Sequence, residues 1–596
     1  MMPLSVSRVT RAVCALTTSA LFLAGGTLSA QAPAQAPAQT PAAKTARASA
    51  SGAQWLTRPE RTDYAETSRY DEVIAYMKQM AAVNPNIHLT TYGYTTEGRP
   101  LPLAVIGAPG ASAEQVLATN KTRVYIQGNI HAGEVEGKEA LLWLLRSIAK
   151  GERNAWLKST VLLINPIYNA DGNERVSVAN RGSQAGPVGG MGTRENAQGL
   201  DLNRDGTKME TAEARSMAGL LTRYQPHVAM DLHTTDGSSN SGFTMTYETS
   251  LNPNNSKAQM SLLRDVLLPE ITKAVKTKHG ADWFYYGGVS GTGEQRAWRS
   301  DAELAKPRYT STYYGVRNIL GLLTETYSYA SFKTRIVETY WFLEESLSYV
   351  ASHGETVRSV VAKANTESII GQQLAVRQQL VKAPALQQIV FAPTISVRNP
   401  YVADRPYRLR PDGQDRAAVT TEMLPFFGTA EPTETTLAPR VWVVPMTAAP
   451  AATTPAPAPG GFGGGRGGAQ GTPTQRMMAT VIDRLEAHGI RYSITTAEQP
   501  FSGDRFKIAT NTVETREYQG AHKGRTLTGA WEATEQSLPA GSLVIPMDQP
   551  LARLAFILMD PRSDDGFMWW NLLDAVLGQS PSPAYYPVWR SMNAVN

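Results

Sequence analysis

His131 and Glu134 stand three residues apart, directly after an apolar run, residues 124–127, that predicts a buried strand. Leu141 and Leu145 follow at helical spacing, so the pair lies between a strand and a helix. This position predicts that both side chains lie at the C-terminal edge of a sheet, where open α/β folds bind their ligands. A neutral imidazole and a carboxylate in one pocket are suitable ligands for a zinc ion.

The His–x–x–acid spacing is weak support when taken alone. The same spacing recurs at His233 with Asp236 and at His279 with Asp282. A hydrogen-bonded loop histidine is the ordinary alternative for His131, and the rest of the chain has to decide between the two interpretations.

Two further predicted strands end in residues that suit the same pocket. Residues 226–233 end in His233, and residues 319–326 carry Glu325. Strand ends converge in space even when they are distant in sequence, so two histidines and one glutamate could complete three protein ligands. Three protein ligands with a fourth position open are typical of catalytic zinc. Glu325, on another strand end, could act as a general base toward water.

A long polar loop, residues 169–206, contains Arg194, Asn203 and Arg204. Loops of this length inside a compact domain are usually functional. Guanidinium groups match a substrate carboxylate, and the alternative is a solvated loop held by salt bridges. The run Asp201-x-Asn203-x-Asp205-Gly begins like a calcium loop, but Ala212 stands where that loop needs its glutamate, which excludes calcium.

Serine hydrolysis is excluded by the residues around Ser290. Gly288-Val-Ser290-Gly-Thr292 lacks the final glycine of a nucleophile elbow and does not join a strand to a helix.

Five separate motifs, in this order along residues 60–355, together resemble the zinc carboxypeptidase family of the carboxypeptidase A type. They are His131-Ala-Gly-Glu134, Asn169-Ala-Asp-Gly172, Arg194-x-Asn196-x-x-Gly199-x-Asp201-x-Asn203-Arg204, Asp231-Leu-His233 and Leu323-Thr-Glu325-Thr326. The resemblance implies one Zn²⁺ per chain, bound by His131, Glu134 and His233.

The resemblance also implies roles for the remaining candidates. Glu325 corresponds to the catalytic general base, and Arg194 to the arginine that polarises the scissile carbonyl group. Asn203 and Arg204 correspond to the pair that holds the substrate's terminal carboxylate. A tyrosine usually closes over the substrate, and either Tyr313 or Tyr314 could serve, with Tyr314 preferred.

The sequence departs from the family pattern at two positions. Gly133 stands where the digestive enzymes carry an arginine, and Asp205 follows Asn203-Arg204 where asparagine is usual. Both positions adjoin substrate-contacting residues, so the specificity of the digestive members does not carry over.

Composition fits a globular protein with more than one folded region. The chain has 596 residues, 42% of them apolar, with a net charge of +5 and no dense basic tract, which argues against a nucleic-acid partner. Arg8 and Arg11 precede an apolar stretch and small residues up to Ala32, which predicts an export signal over residues 1–32 and no stable membrane span. The only cysteine, Cys14, lies inside that signal. A periplasmic or extracellular protein without disulfides is therefore expected.

Strands alternating with helices predict an α/β fold with a mixed central sheet and helices on both faces, followed by a smaller α+β C-terminal region. We expect a low-complexity leader over 33–52, a catalytic domain over 53–385, a β-rich segment over 386–446, a Pro/Gly-rich linker or insertion over 447–474 and the α+β region over 475–596. A helix is predicted over 355–381. Residues 440–445 and 490–495 could be strands of one β-α-β unit.

These features together predict an exported zinc carboxypeptidase that acts on peptides with a free C-terminal carboxylate. The same residues could instead cleave a cell-wall peptide amide or an N-acyl amino acid. A non-catalytic zinc protein that only binds peptides is the alternative from another class, and the presence of both Glu325 and Arg194 argues against it.

Overall fold

An eight-stranded mixed sheet forms the centre of the structure, in the order β1-β2-β4-β3-β5-β10-β6-β7. The first ten strands in chain order are β1 (Ile87–Tyr94), β2 (Pro100–Ile106), β3 (Thr122–Gly128), β4 (Thr160–Asn165), β5 (Val228–Thr234), β6 (Met245–Glu248), β7 (Trp283–Tyr285), β8 (Gly288–Ser290), β9 (Ala297–Arg299) and β10 (Leu320–Thr326). Strands β4, β3, β5 and β10 run parallel to one another. The predicted mixed sheet is confirmed.

The computed structural model describes residues 55–237, 242–399, 406–410, 419–446 and 471–595. The predicted signal (1–32) and leader (33–52), and most of the predicted linker, lie outside these residues. Within the described part of the chain, no helix is long and apolar enough to cross a membrane.

The helices cover both faces of the central sheet and continue into the C-terminal region. In chain order they are α1 (Arg58–Arg61), α2 (Tyr70–Val83), α3 (Ala113–Leu117), α4 (Glu136–Ala149), α5 (Ala170–Glu174), α6 (Ala212–Tyr224), α7 (Lys257–Ser261), α8 (Leu268–His279), α9 (Thr310–Val316), α10 (Phe332–Ser352), α11 (Gly354–Thr366), α12 (Pro473–His488), α13 (Ala552–Met559) and α14 (Asp574–Leu577). A π-helical stretch, Leu262–Leu267, joins α7 to α8.

Successive side chains of the buried strands point alternately into two apolar cores, one on each face of the central sheet. On β3, Val124 and Ile126 belong to the core shared with α2, α4 and α10. Tyr125, between them, belongs to the core shared with α6 and α9. Successive strand residues point to opposite faces, so a strand buried on both sides reads as a continuous apolar run, as this one does.

The second half of the chain adds strands to several smaller sheets. They are β11 (Gln373–Lys382), β12 (Gln387–Phe391), β13 (Ile395–Val397), β14 (Tyr407–Leu409), β15 (Thr420–Leu424), β16 (Phe426–Leu437), β17 (Val441–Val444), β18 (Ser493–Ile494), β19 (Gln499–Val513), β20 (Arg525–Leu538), β21 (Leu543–Pro546) and β22 (Tyr585–Ser591). A six-stranded sheet has the order β18-β21-β17-β22-β19-β20.

The predicted β-α-β unit is present in a modified form. Strands β17 and β18 are both antiparallel to β21, so they run parallel to each other with β21 between them, and α12 lies between them in the chain. The predicted helix over 355–381 is wrong in its second half. The helix ends at Thr366, and Gln373–Lys382 forms β11, which pairs with the distant strand β16.

The C-terminal region packs on the central sheet and shares its core. Trp442 on β17 and Phe556 on α13 lie in the same buried apolar cluster as Tyr125 and the α6 residue Met217. Residues from Trp55 onward form one compact unit. The domain boundaries expected at 385, 446 and 474 stay predictions.

Candidate active site

The His131–Glu134 turn follows β3 at the C-terminal edge of the sheet and closes on itself, since Glu134 N–H donates to the His131 carbonyl oxygen at 2.9 Å. Helix α4 begins two residues later, at Glu136. The strand–turn–helix context predicted from the apolar run is therefore present. Both side chains are buried, with His131 3% and Glu134 2% exposed.

His233 and Glu325 lie side by side on neighbouring strands. Parallel strands β5 and β10 pair in a register that sets Glu325 opposite His233. Residues paired in this way point to the same face of a sheet. Both therefore reach the edge where the His131–Glu134 turn lies.

The three candidate metal ligands form one cluster. Nδ1 of His131 lies 2.8 Å from Glu134 Oε1, and Nδ1 of His233 lies 2.9 Å from Glu134 Oε2. The potential ligand atoms of these residues all lie within 4.8 Å of one another. Two imidazoles and a carboxylate are the donor set of many catalytic zinc sites, so the residues fit a zinc ion.

Each histidine has an aspartate at its other ring nitrogen. His131 Nε2 lies 3.0 Å from Asp201 Oδ1, and His233 Nε2 lies 3.0 Å from Asp231 Oδ2. Carboxylates in this position orient metal-binding imidazoles and raise their basicity. Asp201 and Asp231 were present in the recognised motifs, but their role was not identified from the sequence.

Burial and charge set the protonation of the cluster. Burial raises the pKa of Glu134, but the positive charges of His131 and Arg181 outweigh it and hold that pKa well below its ordinary value. Burial lowers the pKa of His233, yet Asp231 and Glu134 raise it well above its ordinary value. The same carboxylates would attract a metal cation, which binds a histidine nitrogen only after displacing its proton.

Glu325 is a buried carboxyl group with unused hydrogen-bonding capacity. Among the described residues, its Oε2 atom has no hydrogen-bond partner. Burial raises the pKa of Glu325 to about 8, against the opposing positive charge of His233. A divalent cation at the neighbouring cluster would lower this pKa and favour the carboxylate form.

The predicted substrate-binding residues line the same cavity as the ligand cluster. This cavity, of about 110 Å³, is lined by His131, Glu134, Arg194, Asn203, Arg204, Thr234, Asp236, Tyr286, Asp301, Leu304, Tyr309, Leu323 and Glu325. An adjoining cavity of similar size shares Asp236, Tyr286 and Glu325 and adds the aromatic residues Phe243, Trp298 and Tyr327. The structure thus brings together seven of the eight residues predicted from the sequence: it lines the first cavity with six of them and places His233 against Glu134.

Arg194 and Arg204 are both tied to Asp201, whose side chain lies between them. Arg194 Nε donates to Asp201 Oδ2 at 2.9 Å, and Arg204 Nη1 lies 3.8 Å from the same oxygen. The Arg204 guanidinium also stacks 4.0 Å from the centre of the Tyr309 ring. Asn203 Oδ1 accepts from the backbone N–H of Thr310 at 2.9 Å, which leaves the Asn203 amino group as its side-chain donor.

Tyr314, the preferred closing tyrosine, does not line either cavity and needs correction. Its ring is fully buried in the core, and its hydroxyl lies 3.6 Å from Met217 Sδ. Tyr313 is equally buried, with its hydroxyl 2.9 Å from His488 Nδ1. Helix α9 turns both rings into the apolar layer beneath the sheet. Tyr286 and Tyr309 are the tyrosines that line the cavity beside Glu325.

Arg181 was also missed from the sequence. Its side chain lies over Gly133, where an added Cβ atom would come within 2.5 Å of Arg181 Cδ. Its Nη1 atom lies 3.0 Å from Glu134 Oε1. Arg181, from the long polar loop, thus lies over Gly133, the position where the digestive enzymes carry an arginine. No motif in the sequence identifies Arg181.

The C-terminal region reaches the site through the loop between β19 and β20. The Tyr518 hydroxyl accepts from Arg204 Nε at 3.0 Å, and Gln519 Oε1 accepts from the backbone N–H of Asp201 at 3.0 Å. His522 Nε2 lies 2.7 Å from Glu210 Oε1. These contacts hold the loop that carries the predicted carboxylate-binding pair.

Residues 73–303 match the family model described as zinc carboxypeptidase. This segment is similar to the zinc carboxypeptidase family, and it covers less than half of the chain. Curated relatives agree with the match. Probable carboxypeptidase 2 of Arthroderma benhamiae is 28% identical over 169 residues, and carboxypeptidase D of Mus musculus is 33% identical over 132 residues.

The similarity to these curated relatives covers only a minor part of each chain. The aligned segment spans 28% of this chain and 29% of the Arthroderma protein, and 20% of this chain and 10% of the mouse protein. Among solved structures, a metallo-carboxypeptidase from Burkholderia cenocepacia aligns with 17% identity and a TM-score of 0.36, over 48% of this chain and 70% of that one. The C-terminal sheet lies outside the segment that the zinc carboxypeptidase model matches.

Proposed function

We propose that this chain is an exported zinc-dependent carboxypeptidase that removes the C-terminal residue of peptides. The observation that carries the proposal is the shared cavity. Its lining brings together two of the three potential metal ligands, His131 and Glu134, with the buried carboxyl group of Glu325 and the arginine pair of the polar loop, and His233 lies against Glu134. A binding protein would need the arginines, but it would not need an unpartnered buried carboxyl group beside a metal cluster.

One zinc ion per chain would be held by His131, Glu134 and His233, with Asp201 and Asp231 orienting the two imidazoles. Bound zinc supplies a Lewis acid that polarises the scissile carbonyl group. The remaining chemistry belongs to side chains of this protein.

Arg204 and Asn203 bind the free carboxylate of the substrate through a guanidinium fork and an amide N–H. Arg194 donates hydrogen bonds to the oxygen of the scissile carbonyl group as negative charge develops on it. Glu325 accepts a proton from the attacking water and delivers it to the leaving nitrogen as the C–N bond breaks. Water is consumed, and the products are a shortened peptide and a free amino acid.

A pair of matched substrates tests the proposal. The zinc-loaded full chain is incubated with a peptide library and with the same peptides as C-terminal amides, and the products are identified by mass spectrometry. We expect loss of single C-terminal residues from the free acids and much slower turnover of the amides, because the amide leaves Arg204 without its charged partner. Equal turnover of both sets, or internal cleavage only, would refute carboxypeptidase action.

Export is part of the proposal and rests on the N-terminal sequence alone. A mature protein whose first residue follows Ala30 or Ala32 would support it, and a mature protein that retains Met1 would contradict it.

A further inference from the structure

A second and larger cavity, of about 470 Å³, opens at the opposite edge of the central sheet. Arg123 lies at the start of β3, His227 precedes β5, and Ile319 precedes β10, and all three line this cavity. The zinc-ligand candidates lie at the other ends of these strands. This arginine cavity, defined by Arg123, Arg317 and Arg358, is therefore separate from the candidate active site.

A fourth arginine of the lining, Arg491, lies 3.8 Å from Asp548 Oδ1. The guanidinium groups of Arg123, Arg317 and Arg358 have only neutral partners in the described chain. Arg123 Nε donates to the Gln225 carbonyl oxygen at 2.8 Å, and Arg358 Nη1 donates to Thr122 Oγ1 at 2.9 Å. Arg317 donates to the His488 carbonyl oxygen at 2.7 Å, and its buried Nε atom has no partner among the described residues. No carboxylate of the described chain forms a salt bridge with any of these three arginines within 4.0 Å.

Uncompensated positive charge of this kind affects the neighbouring groups. Burial and the charge of Arg358 lower the pKa of Arg123 to about 10. Burial, followed by the charges of Arg123 and Arg358, lowers the pKa of His227 to about 3, so its ring is neutral. An anion in the cavity would relieve this repulsion.

His227 adds a second, independent sign of an absent acceptor. The backbone N–H of Arg123 donates to His227 Nδ1 at 2.9 Å, so the neutral ring carries its proton on Nε2. That Nε2–H group lies 3.2 Å from Arg123 Nη2, which is also a donor. Two donors that face each other are satisfied when an anionic oxygen accepts from both.

The rest of the lining combines apolar residues with the polar residues Thr222, Gln225, Asn318, Asn365, Arg491 and Gln549. Leu221 and Pro226 lie beside the arginines, Val361 and Ala362 come from α11, and Leu551 comes from the C-terminal region. Cavities of a few hundred Å³ with apolar walls and a few polar groups are typical of small-molecule sites. Inorganic anions would leave these walls without a partner.

We propose that the arginine cavity binds a small organic carboxylate. Its oxygen atoms are held by Arg123, Arg358 and His227 Nε2, and its apolar body lies against Ile319, Val361 and Leu551. The guanidinium fork matches a carboxylate, and the walls match a carbon skeleton. The site is formed jointly by the central sheet, α11 and the C-terminal region. The proposed binding does not depend on the proposed peptidase activity.

Titration calorimetry of the zinc-loaded full chain tests the site with three probes: N-acetylphenylalanine, its uncharged amide and inorganic phosphate. We expect N-acetylphenylalanine to bind with a component that weakens at least about tenfold in Arg358→Gln, because a charge-assisted hydrogen bond is lost. Arg358→Lys, which keeps the charge, should lose less. Arg377→Gln removes the same charge from β11, away from the cavity, and should leave the isotherm unchanged.

Any N-acetylphenylalanine bound at the candidate active site stays in every variant, so only the component that depends on Arg358 reports on the arginine cavity. An isotherm that is identical in Arg358→Gln and in the unsubstituted chain would overturn the proposal. Equal affinity for the amide would show that the charge is not recognised. Binding of phosphate without N-acetylphenylalanine would contradict the assignment to an organic carboxylate.

Discussion

Glu134 and Glu325 are two acidic residues of one site that have different surroundings. Glu134 is surrounded by histidines and by Arg181, so it stays ionised and suits a cation. Glu325 has one face against His233 and an oxygen without a partner in the described structure, so it is free to exchange a proton. Two carboxyl groups whose environments push their pKa values apart commonly divide structural and acid–base roles.

Replacing Glu325 with glutamine should remove the base while keeping shape. We expect kcat to fall at least about 10²-fold, since general acid–base catalysis typically contributes ~10²–10⁴-fold. Zinc content should be unchanged, because Glu325 is not among the potential ligands. Steady-state kinetics and elemental analysis of the same preparation check both points. Loss of zinc would make Glu325 structural, and near-normal kcat would mean that another group is the base.

His233→Ala removes one of three potential ligands and should abolish stoichiometric zinc. The reason is that two protein ligands rarely retain a structural or catalytic zinc ion. His88→Ala is the matched control, because His88 lies on β1 and, among the described residues, its ring contacts the Ala108 carbonyl oxygen, away from the site. Elemental analysis of both purified variants decides the matter. Full zinc occupancy in His233→Ala would rule out this ligand assignment.

The ligand residues and the general base could be identified from sequence because they stand at strand ends, and parallel strand ends converge. The closing tyrosine could not be. Tyr314 stands on a short helix, and whether its ring enters the cavity depends on how α9 packs against α6. Arg181 and Tyr518 were missed because each reaches the site from a loop whose path no local pattern encodes.

At the scale of elements, the loop between β19 and β20 supports the polar loop of residues 169–206, which lies at the edge of the central sheet. Tyr518 contacts Arg204, and Gln519 contacts the backbone of Asp201, so two adjacent residues brace one side of the cavity. Contacts behind a ligand-binding residue matter because they fix the geometry of the group that binds.

Tyr518→Phe should raise KM for free-acid peptides roughly three- to tenfold, because a typical hydrogen bond contributes about 0.5–1.5 kcal/mol and Arg204 keeps its other contacts. kcat should change by less than about twofold, because Tyr518 does not touch Glu325 or the metal ligands. Tyr492→Phe is the control, because within the described structure the Tyr492 hydroxyl donates to Glu486 and neither residue lines the two cavities of the site. An unchanged KM in Tyr518→Phe would mean that Arg204 is positioned without it.

A second element-scale prediction concerns α10, which places Glu338 against the edge strand β7. Trp283 Nε1 donates to Glu338 Oε2 at 2.6 Å, and burial raises the pKa of Glu338 to about 7. The folded protein favours the neutral form of Glu338, which stabilises the fold at pH values below the ordinary pKa of 4.5. This stabilisation is lost as the pH rises toward 7 and the carboxyl group ionises.

In Glu338→Gln the side chain cannot ionise, and its amide oxygen can still accept the hydrogen bond from Trp283 Nε1. The variant should therefore be more stable than the unsubstituted chain by about 3 kcal/mol above pH 8, with little difference near pH 4. Urea unfolding at both pH values measures this difference. Glu355→Gln, on the exposed side of α11, is the matched control for the same substitution. A constant difference between the Glu338 variant and the parent at both pH values would contradict the assigned ionisation.

Most of the central sheet and its covering helices could be predicted, since the buried strands are apolar runs of the right length and the helices have apolar residues at helical spacing. The predicted strand over 226–233 is observed as Val228–Thr234. The region after 366 could not be predicted as well. Gln373–Lys382 has polar and apolar residues compatible with a helix, and it becomes a strand because β16, some fifty residues later, pairs with it.

At the scale of the whole molecule, a buried ion pair joins the C-terminal region to the segment before α9, which packs on the central sheet. Arg308 Nε donates to Asp565 Oδ1 at 2.7 Å, and both side chains are at most 2% exposed. The same guanidinium stacks 4.2 Å from Trp569 and 4.7 Å from Trp570. This contact sits just behind the polar loop, so the two regions are expected to unfold together.

Asp565→Ala leaves the Arg308 charge buried without its partner and should lower the free energy of unfolding by about 3–5 kcal/mol. Asp548→Ala, at an exposed pair with Arg491, should change it little. Urea unfolding followed by tryptophan fluorescence compares the two variants. Equal stability of Asp565→Ala and the parent would show that the junction does not depend on this pair.

The central position of β10 has a practical consequence. The family match ends at residue 303, yet β10 lies between β5 and β6 in the middle of the eight-stranded sheet. A shortened chain that ended at the match would keep both neighbours and lose the strand between them. Two rows of unpaired backbone N–H and C=O groups would then face each other across a gap, which invites strands from other molecules. Such a fragment would be prone to aggregate rather than to fold as a smaller enzyme.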